Sequence, residues 1–151
     1  MFREHAPTDP DHLSEWRWLV GPDAELLGWS DSGDLFLTMT DGCVVQLDTG
    51  IAELSTIAAS EAEFRVIIAD PDRSRRLLHA EILEAHIETR GPVPAGFCLG
   101  YTILPIFKEG SYALSNRSLV PASEHFSFTG HVHRQLSDVP DGSRVRYKVT
   151  E

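Results

Sequence analysis

The histidines near the end of the chain have the spacing that most resembles a metal site. His131 and His133 are separated by one residue, and His125 precedes them. Two histidines with this spacing bind one metal ion only from a strand, where alternate side chains share a face. Ser123 to Leu136 instead has the pattern of a helix, which directs His131 and His133 about 200° apart. The sequence therefore favours a helix with histidines on its polar and boundary faces over a metal-dependent enzyme that uses these three side chains.

Other arrangements that carry catalysis or hold a cofactor are missing from the sequence. It has no Gly-x-Ser-x-Gly motif, no Gly-x-Gly-x-x-Gly and no phosphate-binding loop. His79 and His86 share one face of a predicted helix, where we expect solvated side chains. Cys43 and Cys98 have no paired spacing, which predicts small buried side chains rather than a disulfide. We therefore expect no cofactor, no metal, no catalytic residue and no enzymatic activity.

Acidic charge is concentrated in the first 64 residues. This segment holds thirteen Asp and Glu residues against two bases, Arg3 and Arg17, whereas the rest of the chain carries ten acids and eleven bases. A one-sided acidic field repels nucleic acid and anionic membranes, and it accelerates the encounter with basic proteins. The charge pattern therefore predicts a basic protein as the partner and excludes nucleic acid.

The apolar residues are distributed as in a protein that does not enter a membrane. No apolar stretch approaches the roughly 20 residues that span a bilayer. The segment Met1 to His5 lacks the apolar core of a signal peptide. We expect a cytoplasmic protein with no membrane contact.

The elements that must position these side chains begin with a three-stranded meander. Residues 34–40 alternate between apolar and polar with the period of a strand, and Asp41-Gly42 is a strong hairpin signal. The return strand runs from Cys43 to Asp48, and a third strand runs from Ile51 to Ile57. Before the meander, Trp29 to Gly33 has the composition of a turn.

Helices and further strands are predicted on both sides of the meander. The predicted helices are one over 12–20, a short one capped by Ser60 with Glu63, a long one over 72–89 and one over 123–136. The long helix has an inward stripe of Leu78, Ile82 and Ala85. The predicted strands are one or two bent strands over 97–105, a short strand over 118–120 and an edge strand over Arg144 to Val149. This order predicts an α+β fold, a mainly antiparallel sheet (a three-strand meander plus C-terminal strands) packed with two to four helices. We expect a single domain over 1–151, with 1–22 as an N-terminal helical segment.

Trp29 and four aspartates form the predicted partner-binding site. Asp31, Asp34, Asp41 and Asp48 accompany the tryptophan on or beside the meander. Interfaces favour aromatic anchors, and carboxylates fixed on a rigid sheet could occupy the phosphate positions of a basic nuclease cleft. The alternative is that Trp29 belongs to the core and that the acids keep an edge strand from aggregating.

Four segments of the chain carry a family resemblance. They are Gly28–Leu37 with the hairpin that follows, Ala59–Phe64, Gly91–Tyr101, and the closing helix with Leu136–Gly142. In these segments the chain resembles the C-terminal immunity domains of bacterial type VI secretion DNase toxin systems. Those domains often follow GAD-like domains, and they are akin in role to the SUKH immunity superfamily.

The resemblance implies an α+β immunity domain over 24–151 that binds and neutralises a cognate toxin, and it transfers no site residue. Together with the charge, it predicts a non-catalytic protein that occludes a basic toxin such as a nuclease. Two other functions stay open. One is the small metal-dependent enzyme with His125, His131 and His133, and the other is a regulatory scaffold, because SUKH-like domains also occur in proteins that assemble others.

Overall fold

The computed structural model describes residues 1–146 and contains two antiparallel sheets with helices packed around them. The five-stranded sheet has the order β1 (Phe2–Glu4), β2 (Glu25–Ser30), β3 (Leu35–Thr38), β4 (Val44–Asp48) and β5 (Glu53–Ala58). A hairpin of β6 (Phe97–Tyr101) and β7 (Arg117–Pro121) forms the second sheet. The helices are α1 (Arg17–Val20), α2 (Glu61–Ala69), α3 (Pro71–Leu77), α4 (Ala80–Arg90) and α5 (Ala122–Leu136), with single 3₁₀ turns at Ser14–Trp16 and Leu114–Asn116. The predicted α+β class is confirmed.

The meander is confirmed as β3, β4 and β5. The turn between β3 and β4 contains Gly42, whose φ of 86° lies in the region that glycine adopts without strain. Leu37 pairs with Val45, and Leu47 pairs with Leu54, so apolar side chains face each other across the ladder. The local pattern of alternation and turn residues was sufficient to predict these three strands.

The N-terminal segment contains a strand that its sequence pattern does not predict. Phe2 pairs with Ser30 in β2, so the prediction of a helical segment over 1–22 is wrong for its first residues. The strand is stabilised by contacts with residues distant in the sequence. The ring of Phe2 packs edge-on against Phe36 and Phe64, with 5.6 Å and 5.4 Å between the ring centroids. The predicted helix over 12–20 shortens to one 3₁₀ turn and the single turn of α1.

The predicted long helix over 72–89 is broken into α3 and α4. The break is at His79, whose φ of 54° and ψ of 49° are left-handed. The carbonyl oxygen of Leu78 accepts a hydrogen bond from the Ser32 hydroxyl at 3.2 Å instead of continuing the helix. After the break, α4 buries Leu83 and His86 rather than the predicted stripe of Ile82 and Ala85.

The C-terminal elements are partly as expected. The strand β7 contains the predicted residues 118–120, α5 matches the predicted helix closely, and the bent apolar segment forms the single strand β6. The predicted edge strand does not begin at Arg144, because Arg144 to Arg146 have no regular secondary structure. Its remaining residues, 147–149, lie outside the described residues.

The five-stranded sheet is covered on both faces. Leu35, Leu37 and Leu47 face a core that contains Trp16 and Phe126 from the 3₁₀ turn and α5. On the opposite face, Phe36, Val44 and Phe64 form a second core with α2 and the end of α3. Because both faces are buried, the inner strands β2, β3 and β4 carry one exposed side chain, Glu25, at the start of β2. None of the helices within residues 1–146 has the length and apolar character required to cross a membrane.

Candidate functional site

The two ends of the five-stranded sheet differ in their environment. Since neighbouring strands are antiparallel, the last residues of β1, β3 and β5 and the first residues of β2 and β4 lie at one end. We call it the acidic end because six exposed carboxylates lie on its strand ends, the adjoining turns and the start of α2: Glu4, Asp23, Glu25, Asp41, Glu61 and Glu63. The opposite end, where β2 leads into β3, is covered by β6, β7 and α5.

The predicted site residues are divided between these two ends. Asp41 lies at the acidic end, whereas Asp31, Asp34 and Asp48 lie at the covered end. Trp29 is 5% exposed, and its ring packs 4.7 Å from the ring of His12 in the core. The premise that these five side chains share one solvent-facing surface is therefore wrong. Their spacing in the sequence could not reveal which end of the sheet the second sheet covers.

Asp31 forms structural ion pairs at the covered end. Its side chain is 8% exposed and accepts a hydrogen bond from Nε of Arg3 at 2.7 Å. The terminal amino group of Met1 lies 3.7 Å from the same carboxylate. The backbone oxygen of Asp31 accepts from the Leu99 amide at 2.7 Å, which ties β6 to this loop. The residue connects the two sheets and the N-terminal strand.

Asp34 is buried and holds a partly exposed histidine. Its side chain is 3% exposed, and its Oδ2 lies 3.0 Å from Nε2 of Gln46 and 3.5 Å from Nε2 of His79. Hydrogen bonding to Asp34 raises the pKa of His79, against the opposing effect of partial burial. The sequence does not predict this pair, because His79 is 45 residues away and has the pattern of a regular helix.

Asp48 and Asp41 differ in exposure. Asp48 is half-buried, and its Oδ2 accepts a hydrogen bond from the Tyr112 hydroxyl at 2.8 Å. Burial raises the pKa of the Asp48 carboxyl. Asp41 is exposed at the hairpin turn, where its Oδ1 accepts from the Cys43 amide at 3.0 Å. Of the five predicted residues, Asp41 is the one that presents a fully exposed carboxylate to solvent.

Several carboxylates of the acidic end have fixed orientations. The Cys43 amide holds Asp41, and the Ala59 amide holds Glu63 Oε2 at 3.0 Å. Arg65 pairs with both Glu4 and Glu61 and neutralises part of the charge. Asp23, Glu25, Asp41 and Glu63 form no ion pair with any other residue in the described part of the chain. This end can therefore attract cationic groups with carboxylates that are already positioned.

The histidines of α5 do not assemble into a metal site. His133 is buried, and its Nε2 lies 2.8 Å from the Thr49 carbonyl oxygen. His131 is exposed beside Glu15, with 4.0 Å between Nδ1 and the carboxylate. His125 is buried, so the expectation of polar and boundary positions is wrong for His125 and His133. Within residues 1–146, no three His, Cys, Asp or Glu side chains converge to hold a metal ion.

One other histidine, His86, departs from its predicted environment, whereas Cys98 is buried as predicted and Cys43 is half-buried. His86 is 2% exposed, so the prediction of a solvated side chain is wrong for this residue, whose helix turns it into the core. Burial lowers its pKa. The thiols of Cys43 and Cys98 are free, and burial raises the pKa of Cys98 far above its usual range. Neither thiol has the exposed, electropositive surroundings of a nucleophile.

Arg117 is a polar residue of the interior that sequence reasoning missed. It is 4% exposed, its guanidinium carbon lies 4.0 Å above the centre of the Tyr101 ring, and it donates to the backbone oxygens of Ser32 and Leu99. The guanidinium therefore joins β6 and β7 to the loop after β2. A strand pattern of alternating residues does not reveal such a buried cation.

Comparison with known proteins gives no family for the chain. No protein-family model matches the sequence, and no curated protein matches it. The segment resemblance to type VI secretion immunity domains therefore stays a prediction.

Proposed function

We propose that the protein is a non-catalytic immunity protein that binds and occludes a basic toxin, such as a nuclease, through the acidic end of its five-stranded sheet. The observation that carries the proposal is the collection of six exposed carboxylates at one end of the sheet, four of them without an ion-pair partner among the described residues. A cationic cleft would meet this surface in place of nucleic acid phosphates.

The structure of the sheet supports a binding role for this end. The strands themselves are fixed by two cores, so the backbone that carries these carboxylates need not be ordered when a partner docks. Backbone amides already orient Asp41 and Glu63. Pre-orientation of this kind favours affinity because part of the ordering cost is met during folding. The site residues of the proposal are therefore Asp23, Glu25 and Asp41, with Glu63 beside them.

The test is binding to the product of the gene adjacent to this protein's own, which the proposal expects to be a nuclease toxin. Affinity is measured by calorimetry at several salt concentrations, and we expect it to fall as salt rises because exposed charges are screened. The triple variant Asp23→Lys, Glu25→Lys, Asp41→Lys should weaken binding on the order of 100-fold. It should also abolish protection of the nuclease's DNA substrate.

The matched control reverses three exposed acids elsewhere. Glu53→Lys, Glu88→Lys and Glu109→Lys change the net charge by the same amount but lie outside the acidic end. If both triple variants weaken binding equally, net charge rather than this surface is responsible and the assignment is wrong. Absence of binding by the unaltered protein would overturn the immunity function itself.

A further inference from the structure

A cavity of about 390 Å³ lies beside the break between α3 and α4 and shares no carboxylate with the acidic end. Ile57 and Ile67 form its apolar wall, and Arg73, Arg76 and His79 form its basic side. Among the described residues, no carboxylate lines it. The cavity is shallow and widely open to solvent.

The basic side chains follow one another at three-residue spacing. Arg73, Arg76 and His79 therefore lie along one side of α3 and its end. Within residues 1–146, Arg73 and Arg76 form no ion pair and no side-chain hydrogen bond. Arg75, between them, is by contrast paired with Glu84 on α4. Two guanidinium groups are thus available to a ligand in this cavity.

The backbone around His79 is held in place from the sheet side. Nε2 of Gln46, which also lines the cavity, lies 3.4 Å from the Leu77 carbonyl oxygen, and the Ser32 hydroxyl donates to that of Leu78. These bonds maintain a left-handed conformation that costs a non-glycine residue energy. In this conformation the imidazole of His79 lines the cavity, and its Nε2 atom lies 3.5 Å from the carboxylate of Asp34.

The charges around the cavity favour an anion on this side of α3. The hydrogen bond to Asp34 raises the pKa of His79 and so favours the imidazolium. Asp72 and Glu81 line a neighbouring cavity of about 490 Å³, which borders Arg76 and His79 from the other side. An anion therefore meets mixed charges in that second cavity, where Arg75 also lines the wall, whereas the side chains that line the first are basic, polar or apolar.

We infer that the cavity beside α3 binds a small organic phosphate, with the phosphate group on Arg73, Arg76 and His79 and the apolar body against Ile57 and Ile67. Guanidinium groups match phosphate oxygens with paired hydrogen bonds. The net charge of −10 disfavours a nucleic acid chain, because a polyanion would meet repulsion beyond the cavity. A single phosphate on a compact molecule meets the local basic side chains directly, with the Asp34 carboxylate behind His79 and Asp70 near the two arginines.

The experiment titrates the full-length protein with phenyl phosphate, inorganic phosphate and phenol by calorimetry. Phenyl phosphate supplies both the anion and an apolar ring, and we expect it to bind at least about tenfold more tightly than inorganic phosphate. Phenol, without the anion, should show no binding. The variant Arg73→Gln, Arg76→Gln should weaken phenyl phosphate binding by at least about tenfold.

The control variant is Lys108→Gln, Arg134→Gln, which removes the same charge at exposed positions away from the cavity. His79→Asn is a second variant, since asparagine tolerates the left-handed backbone while removing the cation. It too should weaken binding. Equal affinity of the unaltered protein and the arginine variant, or no advantage of phenyl phosphate over inorganic phosphate, would overturn the assignment. Toxin binding is measured separately on the same variants, which leave the acidic end intact.

Discussion

His79 adopts a backbone conformation that glycine favours and other residues resist. With φ at 54°, the Cβ atom crowds the neighbouring carbonyl oxygen, at a cost of about 1 kcal/mol or more. His79→Gly and His79→Ala both remove the imidazole from Asp34, so they differ mainly in this backbone cost. We expect His79→Gly to be more stable than His79→Ala by about 1 kcal/mol in urea unfolding.

Two further positions control that comparison. Ala52 has φ of 57°, so Ala52→Gly should also stabilise the protein, by about 1 kcal/mol. Ala69 is an exposed residue at the end of α2, where Ala69→Gly should destabilise by up to about 1 kcal/mol. If glycine has the same effect at all three positions, the left-handed conformation of His79 does not govern its stability.

At the scale of elements, α5 packs against the 3₁₀ turn through a glycine. A Cβ atom on Gly130 would lie 2.7 Å from the backbone oxygen of Glu15, which a real side chain cannot occupy without displacing that turn. Gly130→Ala should therefore destabilise the protein by about 1 to 3 kcal/mol, although alanine is the better helix former. Ser127→Ala, at an exposed position of the same helix, should be neutral or slightly stabilising. Thermal unfolding of both variants tests the contact.

The secondary-structure elements differ in how far a local sequence pattern predicts them. Asp41-Gly42 and the alternation around it predicted β3 and β4, because turn chemistry and strand period are local. The strand at Phe2 and the break at His79 depend on partners more than 25 residues away, Ser30 for the first and Ser32 for the second. For the same reason, the sequence predicted an acidic surface but could not separate the exposed Asp41 from the buried Asp31.

At the scale of the whole molecule, buried neutral histidines connect stability to pH. Burial lowers the pKa of His125 to about 4, and it lowers the pKa of His12, His86 and His133 as well. The unfolded chain binds protons near a pH of about 6.5, whereas the folded protein binds them only at lower pH. Stability from these groups is thus present above about pH 6.5 and is lost as pH falls toward the folded pKa values.

His79 acts in the opposite direction. Its pKa is raised by Asp34, so its contribution is present below about pH 6.5 and is lost as pH rises through the folded pKa. Since it is one partly exposed residue against four histidines of lowered pKa, we expect acid to destabilise the protein overall. Between about pH 7.5 and pH 5, His125 alone should account for about 2 kcal/mol.

Urea unfolding at these two pH values measures the effect, and His125→Asn separates its source. This variant should lower stability at about pH 7.5, because Nε2 of His125 lies 3.0 Å from both the Gly33 carbonyl oxygen and the Thr49 hydroxyl. It should also reduce the loss of stability on acidification by about 2 kcal/mol, since asparagine does not titrate. An unchanged pH dependence in the variant would show that acid acts on other groups and not through the buried imidazole of His125.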